Sequence, residues 1–272
     1  MFKGVSDFPE IDLDEAFARI DWNTFRQVWK DRKDENSTLQ QDAEELFRMI
    51  REKHSVRLDG SMGFFPAWSQ EESIFCRLED GSVKEFPMFR QQFPLPEGQY
   101  NLSLADFFPQ GENRSGTVYC GFFAVGCKTD PVFEESLKGD DYRMLLLKTL
   151  ADRLAESCAE LLQEKALRVW QGVADPVMIR PAPGYPALPD HTLKRDIYDI
   201  LGVEKKYSFA LTEHYMMIPS AAVCGLLICH PEVRYFATGR IGSDQFRAYA
   251  ERRNTLDPEE LSRFIAWQER FI

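Results

Sequence analysis

The sequence has no excess of basic charge and no long uncharged apolar run. Among its 272 residues, 44 acidic side chains outnumber 33 basic ones, which gives a net charge of −11. Such a chain has little nonspecific attraction for phosphate backbones or anionic membranes, so we expect no nucleic acid and no membrane among its partners. Its longest apolar stretch, IPSAAVCGLLICHP, is shorter than the roughly 20 residues that span a bilayer and is typical of a buried strand.

Signals for export and for structural zinc are also missing. The opening residues, MFKGVSDFPEIDLDEAF, carry acids where a secretory signal needs a basic start and an apolar run, so we expect a cytoplasmic protein. The six cysteines stand singly in apolar surroundings, which predicts reduced thiols in the core. The four histidines show no H-x-x-x-H or H-E-x-x-H spacing, which argues against a zinc hydrolase and predicts no metal site.

Two further motifs are absent. The sequence contains no G-x-G-x-x-G turn, which a Rossmann-type fold would need between its first strand and helix. It also contains no G-x-S-x-G elbow, the turn that carries the nucleophile of α/β-hydrolases. These absences argue against two of the commonest enzyme architectures.

Hydrophobic periodicity indicates both helices and strands. Helical spacing predicts helices over residues 13–28 and 37–53, and a third, the longest, in DDYRMLLLKTLADRLAESCAELLQEKALRVW. Strands are predicted in MGFFPAW, SIFCRLE, VKEFPMF and TVYCGFFAVGC, with a hairpin turn at Asp80-Gly81. The remainder predicts a short helix at 194–201, strands at 209–215, 223–230 and 235–242, and two closing helices. Because the elements do not alternate as βαβ units, we expect an α+β fold around an antiparallel sheet.

A proline-rich loop over residues 174–191 is the most informative stretch. Five prolines and one glycine make it stiff, and stiff loops hold side chains in place at little entropic cost. Arg180 could offer its fork of donors to a carboxylate, or could be a surface arginine whose stem covers apolar area. Tyr185 and His191 could lie at a pocket rim, or could be a packing tyrosine and a hydrogen-bonded structural histidine.

The run Arg180-Pro-Ala-Pro-Gly-Tyr-Pro-Ala, followed by Pro-Asp-His-Thr, resembles the signature loop of the activation domain of cobalamin-dependent methionine synthase. The resemblance extends from Ile20-Asp21-Trp22 to Tyr249-Ala250 and includes Gly63-Phe64-Phe65-Pro66-Ala67 and the Ala151–Glu156 segment. It implies a C-shaped single α+β domain with a central twisted antiparallel sheet flanked by helices. On this basis we expect a leader at residues 1–15 and the domain at 16–272.

The resemblance also implies a function. Such a domain binds S-adenosylmethionine and supports reductive methylation of inactive cob(II)alamin, with an electron from a flavodoxin-like reductant. The cobalamin would be carried by a separate methionine synthase polypeptide or other corrinoid protein and not be bound tightly by this chain. One-electron reduction of cob(II)alamin gives cob(I)alamin, which is a very strong nucleophile. We therefore expect no side chain to act as a catalytic acid or base in the methyl transfer.

Site residues carry over position by position. Those expected to hold S-adenosylmethionine are Asp21, Glu156, Arg180, Ala182, Tyr235 and Phe236. Tyr185 and His191 correspond to positions that approach the corrin, and Asp152 to an acid that receives the imidazole released from cobalt. From the residue types alone, Asp21 would be a helix N-cap or part of a solvated helix end, and Glu156 would be part of a solvated helix face.

The sequence departs from the family at two levels. Where the family has W-P-G-A-S-V-S-G, this chain has Ile-Pro-Ser-Ala-Ala-Val-Cys-Gly at 218–225, which affects packing near the ligand. It also lacks the homocysteine, folate and cobalamin modules, so we expect a freestanding reactivation subunit or a fragment that cannot make methionine alone. Two alternatives stay open: a non-catalytic module that senses S-adenosylmethionine or docks corrinoid proteins, and a reactivator of another corrinoid methyltransferase.

Overall fold

The computed structural model describes residues 4–30, 38–112, 118–169 and 176–266, and its centre is an antiparallel sheet. In this part of the chain, seven strands form the sheet in the order β4-β3-β2-β5-β9-β6, with β1 paired to β2. The strands are β1 (Gly4–Phe8), β2 (Val56–Gln70), β3 (Ser73–Arg77), β4 (Val83–Pro87), β5 (Val118–Thr129), β6 (Met178–Ile179) and β9 (Ala222–Cys229). A separate pair comprises β7 (Ala210–Leu211) and β8 (Met217–Ile218).

Helices cover both faces of this sheet. They are α1 (Leu13–Phe17), α2 (Trp22–Val28), α3 (Leu39–Lys53), α4 (Pro131–Ser136), α5 (Asp141–Val169), α6 (Leu193–Leu201), α7 (Val203–Tyr207), α8 (Ser243–Arg253) and α9 (Pro258–Ser262), with a 3-10 helix at Leu104–Phe107. The expected longest helix is α5, with 29 residues. Among the residues with a described structure, no helix is both long and apolar enough to cross a bilayer.

The core has one layer on each side of the sheet. Alternation along β5 directs Phe123 and Val125 into the layer beneath α1, α3 and α5, and directs Phe122 and Ala124 into the layer beneath α6 and α7. A smaller cluster lies under α8 and α9. The predicted α+β fold with a central antiparallel sheet flanked by helices is therefore confirmed. All six cysteines are buried free thiols, as predicted.

Three predicted elements differ from the structure. The helix expected over residues 13–28 is broken into α1 and α2, because Asp21 ends the intervening turn by capping α2. The strand expected at 209–215 is reduced to Ala210–Leu211. The strand expected at 235–242 is wrong: the Thr238 N–H donates to the Pro186 carbonyl (2.9 Å) and the Gly242 N–H to Gln92 Oε1 (3.0 Å), so this segment bonds to loops and not to the sheet.

The segment expected to be a leader contributes a strand to the central sheet. β1 pairs antiparallel with residues 60–64 of β2, so that Gly4 lies opposite Phe64 and Phe8 opposite Gly60. The paired residues lie in the same β2 strand that pairs with β5. Residues 4–8 therefore form part of the central sheet.

Candidate functional site

A pocket of about 430 Å³ opens where α5, the proline-rich loop and residues 235–237 meet above the sheet. Its size lies within the usual range of roughly 300–1,000 Å³ for small-molecule sites. The wall is mostly apolar and aromatic, with two charged side chains. The lining residues are Phe123, Glu156, Arg180, Pro181, Ala182, Tyr185, Pro186, Ala187, Val223, Tyr235, Phe236 and Ala237.

The proline-rich loop lies directly against β9. The Pro181 carbonyl accepts a hydrogen bond from the Leu226 N–H at 3.0 Å. A Cβ at Gly225 would come within 2.5 Å of that carbonyl oxygen, so only glycine permits this approach. Gly225 is kept in the run at 218–225 that departs from the family, and Val223 of the same run lines the pocket. The altered run at 218–225 thus keeps the close contact between Gly225 and Pro181 that positions the proline-rich loop.

Arg180 enters the pocket with an unsatisfied donor. Its backbone N–H donates to Tyr235 Oη at 2.8 Å, which ties the loop to the opposite wall. Its Nη2 lies 3.9 Å from Glu160 Oε1, a distance too long for a hydrogen bond. Its Nε is buried and, in the described part of the chain, has no hydrogen-bond partner. A buried charged donor without a partner is costly, and an anionic ligand would remove that cost.

The helix α5 brings three acids toward the pocket at intervals of one turn, Asp152, Glu156 and Glu160. Glu156 lines the pocket, whereas Asp152 does not. Burial raises the pKa of Glu160, while the nearby Arg180 lowers it and Glu156 raises it. Burial also raises the pKa of Asp152, opposed by Arg153 and reinforced by Glu156. The carboxylates therefore act on one another electrostatically and make this wall of the site acidic.

Asp21 lies outside the pocket lining and is bonded within its own helix. Its Oδ1 accepts from the Asn23 N–H (2.9 Å) and the Thr24 N–H (3.3 Å), and its Oδ2 accepts from Thr24 Oγ1 (2.6 Å). The hydroxyl bond from Thr24 is the main reason that the pKa of Asp21 is lowered. These are the contacts of an N-cap, which was the structural interpretation of this residue.

Tyr185 and His191 occupy different environments. Tyr185 lines the mouth of the pocket and is 63% exposed. The His191 ring lies over Gly184, with Nδ1 3.1 Å from Lys194 Nζ. The structure therefore brings six of the predicted residues to one pocket: Glu156, Arg180, Ala182, Tyr185, Tyr235 and Phe236. Asp21, Asp152 and His191 lie outside its lining.

Sequence reasoning missed the floor of the pocket. Phe123 and Val223 belong to β5 and β9, and within apolar strands they look the same as core residues. It also missed Glu160, which faces Arg180 one turn beyond Glu156. The i, i+4 spacing of two acids on a long helix was the available signal for Glu160, but it is equally typical of a solvated face.

Comparison with known proteins identifies the family. The family model described as "Vitamin B12 dependent methionine synthase, activation domain" matches residues 12–254. The chain belongs to this family. A solved activation-domain structure, titled "Crystal Structure of the MetH Reactivation Domain bound to AdoHcy", superposes with a TM-score of 0.89 at 28% sequence identity. The match covers 100% of this chain and 92% of that one.

Proposed function

We propose that this activation domain binds S-adenosylmethionine in the described pocket and supports reductive methylation of an inactive corrinoid held by a separate polypeptide. The observation that carries the proposal is Arg180, whose buried Nε has no partner among the described residues and which lines an aromatic pocket that also holds an acid. The similar MetH structure contains AdoHcy, which is S-adenosylmethionine without its methyl group. That ligand supports the choice of nucleoside for this pocket.

The lining residues fit the chemistry of this ligand. Arg180 would pair with the methionyl carboxylate through a charge-assisted bond. Glu156 would accept from the ammonium, a sugar hydroxyl or the adenine amine. The faces of Tyr235 and Phe236 would stabilise a sulfonium cation. Ala182 leaves room for the ligand beside the loop backbone, and Asp21 would complete the set from the start of α2.

S-adenosylmethionine supplies an electrophilic methyl group carried on sulfur. The chain's own residues hold the ligand, orient it and exclude water from the aromatic wall, and no side chain is assigned acid or base chemistry. The acceptor would be cobalamin on a partner polypeptide, and a flavodoxin-like protein would supply the electron. We further propose that these reactions occur in the cytoplasm, where the six thiols would stay reduced.

Three residues are assigned to the docked complex. Tyr185, exposed at the pocket mouth, would meet the corrin together with His191. Asp152 lies at the surface one turn before Glu156, where partial desolvation raises its pKa, and a raised pKa favours proton exchange with an imidazole released from cobalt. These assignments place the partner's cofactor over the same mouth through which the methyl group would leave.

Calorimetric titration with S-adenosylmethionine tests the binding step. We expect Arg180→Ala to weaken binding by about 2 kcal/mol, or roughly thirtyfold, because a charge-assisted bond is lost. The matched control is Arg168→Ala, an arginine near the end of α5 whose side chain is 76% exposed, and it should bind like the wild type. Absence of binding by the folded wild type would contradict an autonomous S-adenosylmethionine site.

A further inference from the structure

Lys194, near the start of α6, is a buried ammonium held by neutral partners. It is 7% exposed, and its Nζ lies 3.0 Å from the Tyr215 carbonyl and 3.1 Å from His191 Nδ1. No carboxylate among the described residues forms an ion pair with it. Buried lysines without a carboxylate partner are uncommon in proteins. The position of the Lys194 amine beside an imidazole nitrogen therefore suggests that it acts on His191.

The contact fixes where the imidazole carries its proton. A lysine ammonium can only donate, so Nδ1 of His191 must accept, and the proton of the neutral ring must be on Nε2. A protonated ring would place two positive charges about 3 Å apart in a half-buried site. The opposite arrangement, with Nδ1–H donating to a neutral amine, would require Lys194 to lose its proton. Burial lowers the pKa of Lys194, opposed by Cys224, but from a usual value of about 10.4 that lies well above neutral pH.

The loop fixes the ring from its other side. Gly184 has φ +92° and lies so close to the ring that a Cβ there would overlap it. The Gly184 N–H donates to the Leu188 carbonyl at 2.8 Å, which closes the turn that carries Tyr185. In the described residues, His191 Nε2 has no hydrogen-bond partner. In the His191 ring, Nδ1 is therefore bonded to Lys194, one face is covered by Gly184, and the Nε2–H group is available to donate a hydrogen bond.

Other charges near the ring do not reverse this arrangement. Burial and Lys194 both lower the pKa of His191, and Asp190 is the one group that raises it. The Asp190 carboxylate is occupied by the Thr192 N–H (2.7 Å), Tyr249 Oη (2.6 Å) and Arg253 Nε (3.3 Å). It therefore has little capacity left to stabilise a protonated imidazole.

We propose that Lys194 is a positioning residue that holds His191 as the neutral Nε2–H tautomer, so that the loop presents a hydrogen-bond donor, and not a metal ligand or a base, beside Tyr185. The tautomer rests on the contacts within this chain. Its purpose rests on the proposed function: the acceptor would be a carbonyl oxygen of the amide side chains that rim the partner's corrinoid.

NMR correlation of the imidazole nitrogens with the ring protons, in isotope-labelled full chain without ligand, tests the tautomer. The His191 signals are assigned by their loss in His191→Asn. We expect the wild type to show an unprotonated Nδ1 and a protonated Nε2 at neutral pH. A proton on Nδ1, or a doubly protonated ring, would overturn the proposal even if no Lys194 variant could be purified.

Variants test the part played by Lys194. In Lys194→Met the two tautomers should mix and the ring should protonate at higher pH than in the wild type, while Lys194→Arg should restore the Nε2–H form. Lys205→Met, an exposed lysine of α7, is the matched control and should leave the His191 signals unchanged. Unchanged tautomer and titration in Lys194→Met would refute the positioning role.

The same variants separate this proposal from the proposed function. Neither Lys194 nor His191 lines the pocket, so Lys194→Met should bind S-adenosylmethionine within about twofold of the wild type. Loss of binding by the wild type would contradict the pocket assignment and leave the tautomer result standing. If the donor acts on the corrinoid, Lys194→Met and His191→Phe should slow reactivation to a similar extent, and the double variant should be no slower; independent, additive effects would contradict it.

Discussion

The Asp21 carboxylate caps α2 and, in our proposal, also helps to bind S-adenosylmethionine. Replacing the carboxylate with an amide separates these two roles. Asparagine caps helices as well as aspartate, whereas alanine does not. We therefore expect Asp21→Ala to lower the free energy of unfolding by about 1 kcal/mol and Asp21→Asn to leave it unchanged, as measured by urea denaturation.

The ligand role of Asp21 makes a different prediction for the same pair. If its charge helps to hold S-adenosylmethionine, Asp21→Asn should bind roughly tenfold more weakly than the wild type while staying equally stable. The measurement is calorimetric titration at matched concentration. If Asp21→Asn binds S-adenosylmethionine with wild-type affinity, the charge of Asp21 has no part in binding and the residue acts only as a helix cap.

Single residues also show why the site was only partly predictable. Arg180 was identifiable because it stands in a stiff loop with a specific motif. That its Nε has no partner among the described residues was not, because this depends on how the loop packs against α5, where Glu160, 20 positions earlier, lies 3.9 Å from Nη2. Phe123 was hidden for the opposite reason: its apolar strand predicts burial, and burial alone does not distinguish a pocket floor from a core.

Between elements, a buried ionic network fastens α8 to α6 and to the end of the proline-rich loop. Arg253, 7% exposed, donates to Asp190 (3.3 Å), Thr192 Oγ1 (3.1 Å) and Asp196 (2.5 Å). Lys84 of β4 makes a second ion pair with Asp196 at 2.5 Å. Removing the guanidinium would leave two buried carboxylates undercompensated.

We expect Arg253→Met to lower the free energy of unfolding by about 3 kcal/mol, the usual cost of breaking a buried ion pair. Arg252→Met, the adjacent and more exposed arginine, is the control and should change stability by less than about 1 kcal/mol. Urea denaturation of both variants makes the comparison. Equal stability of the two variants would show that the network contributes nothing beyond a surface contact.

Periodicity predicted elements well where the backbone groups of a segment are paired within a helix or with neighbouring strands of a sheet. The alternation of β5 and the length of α5 were both readable from the sequence. It failed at residues 235–242, whose apolar and β-branched content is typical of a strand but whose N–H groups bond to Pro186 and Gln92. It also missed the break before Asp21, because capping depends on one side chain and not on a period.

For the whole molecule, we expect His191 to make the free energy of unfolding depend on pH. Its pKa is lowered in the folded state, first by burial and then by Lys194. Above its unfolded pKa of about 6.5 the ring is neutral in both states; as pH falls below that value, the unfolded chain takes up a proton that the folded chain resists, and stability declines.

We therefore expect the free energy of unfolding to fall between about pH 6.5 and the lower folded pKa, and the decline to be shallower in His191→Asn. The control is His54→Asn, since His54 is exposed at the end of α3. The measurement is urea denaturation at a series of pH values. An identical slope in the wild type and in His191→Asn would contradict a lowered pKa at this histidine.

Methyl transfer from S-adenosylmethionine to a partner's cobalamin can be followed by the formation of methylcobalamin. The chain would be mixed with S-adenosylmethionine, a cobalamin-bearing methionine synthase polypeptide in the cob(II)alamin state, and a reduced flavodoxin-type protein. We predict methylcobalamin only in the complete mixture, and a slower reaction with Arg180→Ala that recovers at high S-adenosylmethionine concentration. Tight binding of S-adenosylmethionine without any methylcobalamin would contradict this function and leave a sensing or docking module, or a reactivator of another corrinoid methyltransferase.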